Sequence, residues 1–358
     1  MRSTHLKLTS YFAARQRTGQ QFLADAMLDL FAERGVAHSV MLHGIAGFGQ
    51  HGEIRSDESL TLADDPAMQI SAIDTAATIN SLATGVADMT SSGLITVESV
   101  RPLDDDPAGG SLPEGADQIK LTMHIGRNRS INGRNAYAAI CDLLHAHHFT
   151  GTCVLLGVDG TFRGERRRAH FFGSNRDVPL LIVAIGSPDD VRRVTPELAA
   201  LPHRPLMTTE RVQVCKRDGR LMSRPTMLPA DDGQDHPLWQ QLVIQTSESS
   251  RYRGTPIHRA LIKQLWKSGT STGATALRGV WGFHGAHEPH GDKVIQFGRH
   301  VPVLTVIVDT PDGIARSFEL VDEITGRHGM VTCETVPALM AFRGGVRQGS
   351  LDLADFPD

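Results

Sequence analysis

The sequence predicts an α+β protein made of three tandem copies of one β-α-β-β-α-β unit, and three repeated phrases carry that prediction. LHGIAGFG, Leu42 to Gly49, returns as LRGVWGFH, Leu277 to His284, with a degraded version, LLGVDGTF, at Leu155 to Phe162. LKLTSYF, Leu6 to Phe12, returns almost letter for letter as IKLTMHI, Ile119 to Ile125. AMQISAID, PLLIVAIG and PVLTVIVD, starting at Ala67, Pro179 and Pro302, align as one apolar strand.

In the first copy, Leu6 to Phe12 alternates apolar and polar residues, as a half-buried strand does. Between Gln20 and Arg34 the residues Phe22, Leu23, Met27, Leu30 and Phe31 form the apolar stripe of a helix that Gly35 ends. Val36 to His43 reads as a strand. A long polar segment rich in Gly, Asp, Glu and Ser follows Gly44, before the third strand at Ala67 to Asp74. Thr75 to Ser92 is a second helix on Ile79, Leu82 and Val86, and Leu94 to Val100 is the fourth strand.

The second copy places strands at Ile119 to Ile125, Thr152 to Leu156, Pro179 to Ile185 and Thr208 to Val214. Its helices cover Ala136 to His147 and Pro188 to Leu201, with a kink or early end expected at Pro196. In the third copy, strands fall at Gln241 to Thr246, Ala274 to Leu277, Pro302 to Asp309 and Met330 to Val336. Ile257, Leu261 and Leu265 mark one helix; Ile314, Phe318, Val321 and Ile324 mark the other. The copies span 1–102, 118–216 and 240–338, the second being the most divergent. Linkers rich in Pro, Gly and acidic residues occupy 103–117 and 217–239, and a disordered tail is expected at 339–358.

A β-α-β-β-α-β chain folds as a four-stranded antiparallel sheet with both helices on one face, the ferredoxin-like arrangement. Three such copies can bury their open faces and edges around a pseudo-threefold axis, so the chain is expected to be a monomer acting as a pseudo-trimer. A net charge of -4 and a pI near 6.5 exclude a basic nucleic-acid-binding surface. Cys141, Cys153, Cys215 and Cys333 lack CxxC spacing, which argues against a disulfide framework or a thiolate zinc site and for a reducing, cytoplasmic setting. No apolar run approaches the ~20 residues that span a bilayer, so no membrane insertion is expected.

The phrase LHGIAGFG, the helix-strand frame before it, the long loop after it and the PVLTVIVD strand resemble the uncharacterised PII-like proteins, relatives of the PII nitrogen-signalling regulators. The resemblance covers almost the whole chain outside linkers and tail. It implies a non-enzymatic signalling protein that binds a small effector, an adenine nucleotide or another anion, in clefts between copies. It also implies that the long loops touch a membrane transporter or an enzyme. The Gly- and Lys-rich phosphate loop of nucleotide-binding PII proteins is replaced here by Ser91-Ser92-Gly93, Pro202-His203-Arg204-Pro205 and Gly326-Arg327-His328-Gly329, which puts ATP itself in doubt.

Candidate ligand contacts are the glycines and phenylalanines of the repeated phrase, Gly44, Gly47, Phe48, Gly279, Gly282 and Phe283, which let backbone approach a ligand or cover a base. The first and third copies keep G-x-x-G-F, so binding is expected to favour their clefts. The turn before the first helix of each copy carries two arginines, Arg15 and Arg17, Arg127 and Arg129, Arg251 and Arg253, and Arg278 adds a cation beside Gly279. Cations beside a helix N-terminus suit phosphate or carboxylate. The long loops differ in character, acidic in the first (Glu53, Asp57, Glu58), basic in the second (Arg163, Arg166, Arg167) and histidine-rich in the third (His284, His287), which suits an asymmetric partner. No residue pattern completes a metal site. No P-loop, GxSxG elbow or HExxH is present, which leaves a ligand-independent scaffold as the main alternative and a ferredoxin-fold hydrolase as a weaker one.

Overall fold

The computed structural model describes residues 4–49, 54–56, 65–103, 112–170, 175–284, 290–291 and 301–355. The periodicities of the sequence become the same succession three times. The first copy comprises β1 (His5–Ala13), α1 (Leu23–Glu33), β2 (His38–Phe48), β3 (Ala67–Thr75), α2 (Ala76–Met89) and β4 (Gly93–Pro102). The second comprises β5 (Gln118–Gly126), α3 (Ala136–Ala146), β6 (Gly151–Leu156), β7 (Pro179–Gly186), α4 (Pro188–Ala199) and β8 (Leu206–Arg217). The third comprises β9 (Trp239–Ser247), α5 (Ile257–Ser268), β10 (Ala274–Arg278), β11 (Pro302–Asp309), α6 (Pro311–Thr325) and β12 (Met330–Val336). Each third strand runs straight into its helix through a hydroxyl N-cap. Thr75, Ser187 and Thr310 accept from the backbone N–H of Thr78, Asp190 and Gly313.

Within each copy the strands pair antiparallel in the order second, third, first, fourth: β2-β3-β1-β4, β6-β7-β5-β8 and β10-β11-β9-β12. The expected ferredoxin-like sheets are corrected in one respect, because pairings between copies join them into a closed barrel. β4 pairs with β8, β8 with β12, and β10 with β2, so that β2, β3, β1, β4, β8, β12, β9, β11 and β10 form a closed antiparallel circuit of nine strands. The strands β5, β7 and β6 branch from β8, and Trp281–His284 of the third copy takes the outer edge of β6. Closure leaves these edges paired, which is the physical reason three independent sheets do not persist.

The repeated glycine phrase is where the chain crosses from one copy to the next. Ala46, Gly47 and Phe48 pair with Ala274 to Ala276 of the third copy, Trp281 to His284 with Gly151 to Val154 of the second, and Phe162 with His38 of the first. The second glycine of each phrase lies against a backbone carbonyl at the equivalent residue of its neighbour. A Cβ on Gly47 would stand 2.8 Å from the Ala274 oxygen, on Gly160 2.2 Å from that of Ser39, and on Gly282 2.1 Å from that of Thr152. The first glycine likewise faces the start of the third strand of its own copy, at Ala67, Pro179 and Pro302. Only glycine admits two backbones this close.

Helices cover one sheet face and the barrel interior covers the other. Leu6 and Leu8 pack with Leu23, Met27, Phe31, Ile79 and Val86 under α1 and α2. The alternate residues of the three first strands, Lys7, Thr9 and Tyr11, Lys120, Thr122 and His124, and Gln241, Val243 and Gln245, line a cavity of about 100 Å³. The half-buried reading of LKLTSYF is therefore corrected: its polar face is buried as well, because it meets the same face of the other two copies.

Further corrections concern the connections. A short hairpin, not a plain turn, precedes the first helix of each copy, at 17–22, 130–135 and 251–256. Leu103 and Leu112, assigned to the first linker, are buried in the second copy's core. The expected disordered tail is overturned through residue 350: β13 (Ala338–Arg343) pairs with β4 and with β14 (Val346–Ser350) across Gly344-Gly345. Pairing with the edge of β4 buries Leu339 and Phe342 and satisfies backbone groups that a free tail would leave to water. The helix α4 passes through Pro196 to Ala199.

Replacing Gly282 by Ala forces a Cβ into the Thr152 carbonyl and is expected to destabilise the fold by more than about 2 kcal/mol. Gly19→Ala, whose Cβ would meet open space at φ +57, should cost about 1 kcal/mol. Urea denaturation of the two variants checks the contrast; equal costs would contradict the close crossing.

Candidate functional site

Strand crossing creates a cleft at each junction between copies, and the three clefts differ in what fills them. At the junction of the first and third copies a cavity of about 370 Å³ is open, within the range of small-ligand sites. Its walls include Tyr11 and Arg15 from the end of β1, Gly47 and Phe48 from β2, Ser92-Gly93-Leu94 from the loop before β4, Thr272-Gly273 before β10, and Phe342 from β13. Arg55 and Asp65 stand at its mouth 3.5 Å apart, and Asp65 also accepts from the Arg15 backbone N–H at 2.7 Å. The chamber thus offers aromatic and apolar walls with two guanidinium groups and one carboxylate, chemistry that suits a flat apolar group carrying an anion.

The equivalent space between the third and second copies is crossed by Gln245, whose amide donates to the Thr152 and Phe283 carbonyls at 3.1 Å each. Met330, standing where the first copy has Leu94, packs against Gly151. Between the second and first copies, His38 occupies the position of Gly273, and its ring lies edge-on to His124, 5.9 Å away, and to Phe162, 5.2 Å away. Burial first, then Arg163, lowers the His38 pKa to about 4. Burial, then His38 and Lys7, lowers that of His124 to about 3. Both imidazoles are held neutral in the fold.

Of the residues singled out in the sequence, Arg15, Gly47 and Phe48 meet at the open cavity. Gly44, Gly279 and Gly282 are packing glycines at strand crossings, and Phe283 is core. Arg17 lies over the Phe22 ring and donates to the Gln20 carbonyl at 2.7 Å. Arg253 lies over the Tyr252 ring, 4.9 Å from its centre, in the same hairpin as Arg251, which donates to the Gly254 carbonyl. Arg129 pairs with Asp177, Arg278 with Glu248, and the Arg127 backbone bonds to Val178. The arginine pairs do not fall at equivalent positions, because the hairpins place Arg17 level with Ser130 and Arg251.

The loop expectations divide. Glu53, Asp57, Glu58 and His287 lie outside the described residues. Arg163 stacks on Phe162, and Arg167 pairs with Glu165. Arg166 is engaged within the chain, where it joins the buried Asp159 to Asp25 and Asp29 of α1 and so ties the second copy's loop to the first copy's helix. His284 approaches Asp218 at 3.3 Å.

A second cluster escaped the sequence reading. On the fourth strands, Thr96-Val97-Glu98, Thr208-Thr209-Glu210 and Thr332-Cys333-Glu334 bring three glutamates together, their oxygens within 4.8 Å of one another. Lys7 bridges Glu98 and Glu210 at 2.7 and 2.5 Å, and Lys120 bridges Glu210, at 3.1 Å, and Glu334. The three glutamates and Lys120 are buried, and Lys7 is mostly so. Burial would lower the Lys7 pKa, but Glu210, Glu98 and Glu334 outweigh it and hold it well above the ordinary lysine value. Burial raises Glu210, yet Lys120 and Lys7 prevail and bring it down, whereas burial keeps Glu334 raised against the pull of Lys120. The repeated T-x-E and K-L-T phrases were the available signal.

A profile of the family DUF190, described as an uncharacterized ACR, matches the chain three times, over residues 5–102, 118–214 and 239–338. A protein named UPF0166 protein from Aquifex aeolicus (strain VF5) is 32% identical over 99 residues, which are 27% of this chain and 90% of that protein. The matched length is that of one copy, so the chain resembles this relative repeated in tandem. No helix among the described residues is long and apolar enough to cross a membrane.

The histidine pair, His124 buried and His38 half-buried, carries a pH signature. Both folded-state pKa values lie below the ordinary 6.5, so the unfolded chain binds more protons once pH falls below that value. Stability should therefore be complete above pH 6.5 and fall toward pH 4.5 by up to about 1.4 kcal/mol per pH unit for each histidine. Chemical denaturation across this range should show a pH slope that His124→Gln, which copies Gln245 of the third unit, reduces by one proton. A slope unchanged in the variant would contradict neutral burial.

Proposed function

The chain belongs to DUF190, an uncharacterised PII-like family with tandem copies here, and from that premise we propose that it is a regulatory protein that binds one small anionic effector between its first and third copies. In this reading each copy is a ferredoxin-like unit, the second-third-first-fourth strand order supporting it, and the three act as a single-chain pseudo-trimer. The observation that carries the proposal is the open cavity of about 370 Å³. It combines Tyr11, Phe48 and Phe342 as walls for a flat ring with Arg15 and Arg55 for its anion, and an adenine nucleotide has both parts. Ser91 and Ser92 stand where the lysine-bearing phosphate loop of nucleotide-binding relatives would be, which favours a ligand with less phosphate than ATP. Effector binding beside the base of the first long loop would alter how that loop meets a transporter or enzyme in the cytoplasm.

The filled state of the other two clefts favours a second reading in part, a scaffold whose surfaces bind a partner without any metabolite. Thermal shift and calorimetry against ATP, ADP, AMP, bicarbonate and fluoride separate the two. At least one ligand should bind with a stoichiometry of one per chain, and Arg15→Ala should weaken it at least about tenfold, equivalent to 1.4 kcal/mol. No response across the panel supports the scaffold. Three equivalents bound per chain would contradict one open cleft among the described residues.

A further inference from the structure

Two of the three sectors of the buried carboxylate ring are closed by an ammonium group, from Lys7 and from Lys120. The third sector, between Glu334 and Glu98, presents the same carboxylates, but the equivalent residue, which pairs in register with Glu334, is Gln241. Gln241 accepts from the Tyr11 hydroxyl at 3.3 Å. A glutamine brings no charge, so three carboxylates face two ammonium groups and one negative charge is left in a buried setting, where an uncompensated charge is costly.

Room for a compensating group lies against the ring. A cavity of about 220 Å³ is lined by Glu98, Glu210, Glu334 and Gln240 and capped by Pro113, Thr226 and Leu228 of the two connecting segments. Gln240 and Glu210 are buried, and Gln240 Oε1 and Glu210 Oε2 have no hydrogen-bond donor among the described residues. The arginines on the cavity wall are directed elsewhere, Arg101 to the Leu112 carbonyl at 3.3 Å and Arg211 to that of Glu114. The cavity beside the ring thus shows acceptors with unused capacity on Gln240 and Glu210, next to a ring with one surplus negative charge and two sectors in which an N–H-bearing cation already meets the same demand.

We propose that this cavity holds, against Glu334 and Glu98, a small monocation with N–H donors, ammonium or a primary alkylamine, which supplies the charge that the third lysine would. An alkali ion supplies charge but no donors for oriented acceptors, and a divalent ion would be repelled by the two adjacent lysines.

The test uses the full chain at matched ionic strength, with ammonium or methylammonium chloride compared with sodium and tetramethylammonium chloride. The first two should raise the melting temperature saturably by about 2–4 °C, and the others should not. A protein-bound ¹⁵N-ammonium resonance, slowed in proton exchange, should appear. Gln241→Lys, which tethers the ammonium, should be more stable in sodium chloride and lose both responses; Glu98→Gln, which removes the surplus charge, should lose them too and stands in should the lysine variant not fold. Equal effects of sodium and ammonium, or responses that survive in the foldable variant, would overturn the proposal. So would an ammonium-free protein whose melting temperature rises on acidification from pH 8 to 6 with no ammonium response, since a proton would then close the ring.

Discussion

Everything in this protein depends on the close crossing of backbones at the repeated glycine phrase. Each second strand runs past its own sheet and onto the second strand of another copy, and the crossing is possible only because Gly47, Gly160 and Gly282 have no side chain to meet the carbonyls of Ala274, Ser39 and Thr152. That register brings the polar faces of the three first strands together. Once they enclose the axis, Lys7, Lys120 and the three glutamates have little water to face, and their mutual pairing becomes a condition of closure. The clefts beside the crossings follow from the same geometry.

Pseudo-symmetry is broken at one junction more than at the others. Between the first and third copies the cleft is open, because Gly273 stands where His38 fills one of its equivalents and Leu94 where Met330 helps to fill another. The same junction holds the incomplete ring sector. Tyr11 joins the two features, since it lines the open cavity and donates to Gln241. Fusing three copies into one chain removes the requirement that they be identical, and here the differences gather where the first and last copies meet. The C-terminal hairpin adds Phe342 at that junction, a contribution with no counterpart among the described residues of the other two.

How legible this was in the sequence depended on whether a feature was local. Element order and the helix stripes were readable because Leu23, Met27 and Phe31, or Ile314, Phe318 and Val321, satisfy a local period. The closed circuit was not, because pairing such as β4 with β8 is set by where copies meet and not by either strand alone. Polar alternation misled for the same reason: the Lys and Thr of LKLTSYF look solvated in one copy and are buried by two others. Gly344-Gly345 after an apolar run was a legible two-residue hairpin signal that the tail assignment overlooked. At the candidate site, Arg15, Gly47 and Phe48 were foreseen, but the arginine pairs were matched by spelling and not by register. Leu94, Gly273 and Phe342, which decide that one cleft is open, carry no chemical signature in isolation.

The central claim is that the three copies form one closed body held by crossings between them. Native-state hydrogen exchange tests it most directly, through the backbone amides of Leu8, Leu121 and Leu242 in the central strands of the three copies. The account predicts that all three exchange through a single global opening, with the same free energy and the same denaturant dependence. Three distinct free energies, with the divergent second copy opening by itself while the others stay protected, would contradict it.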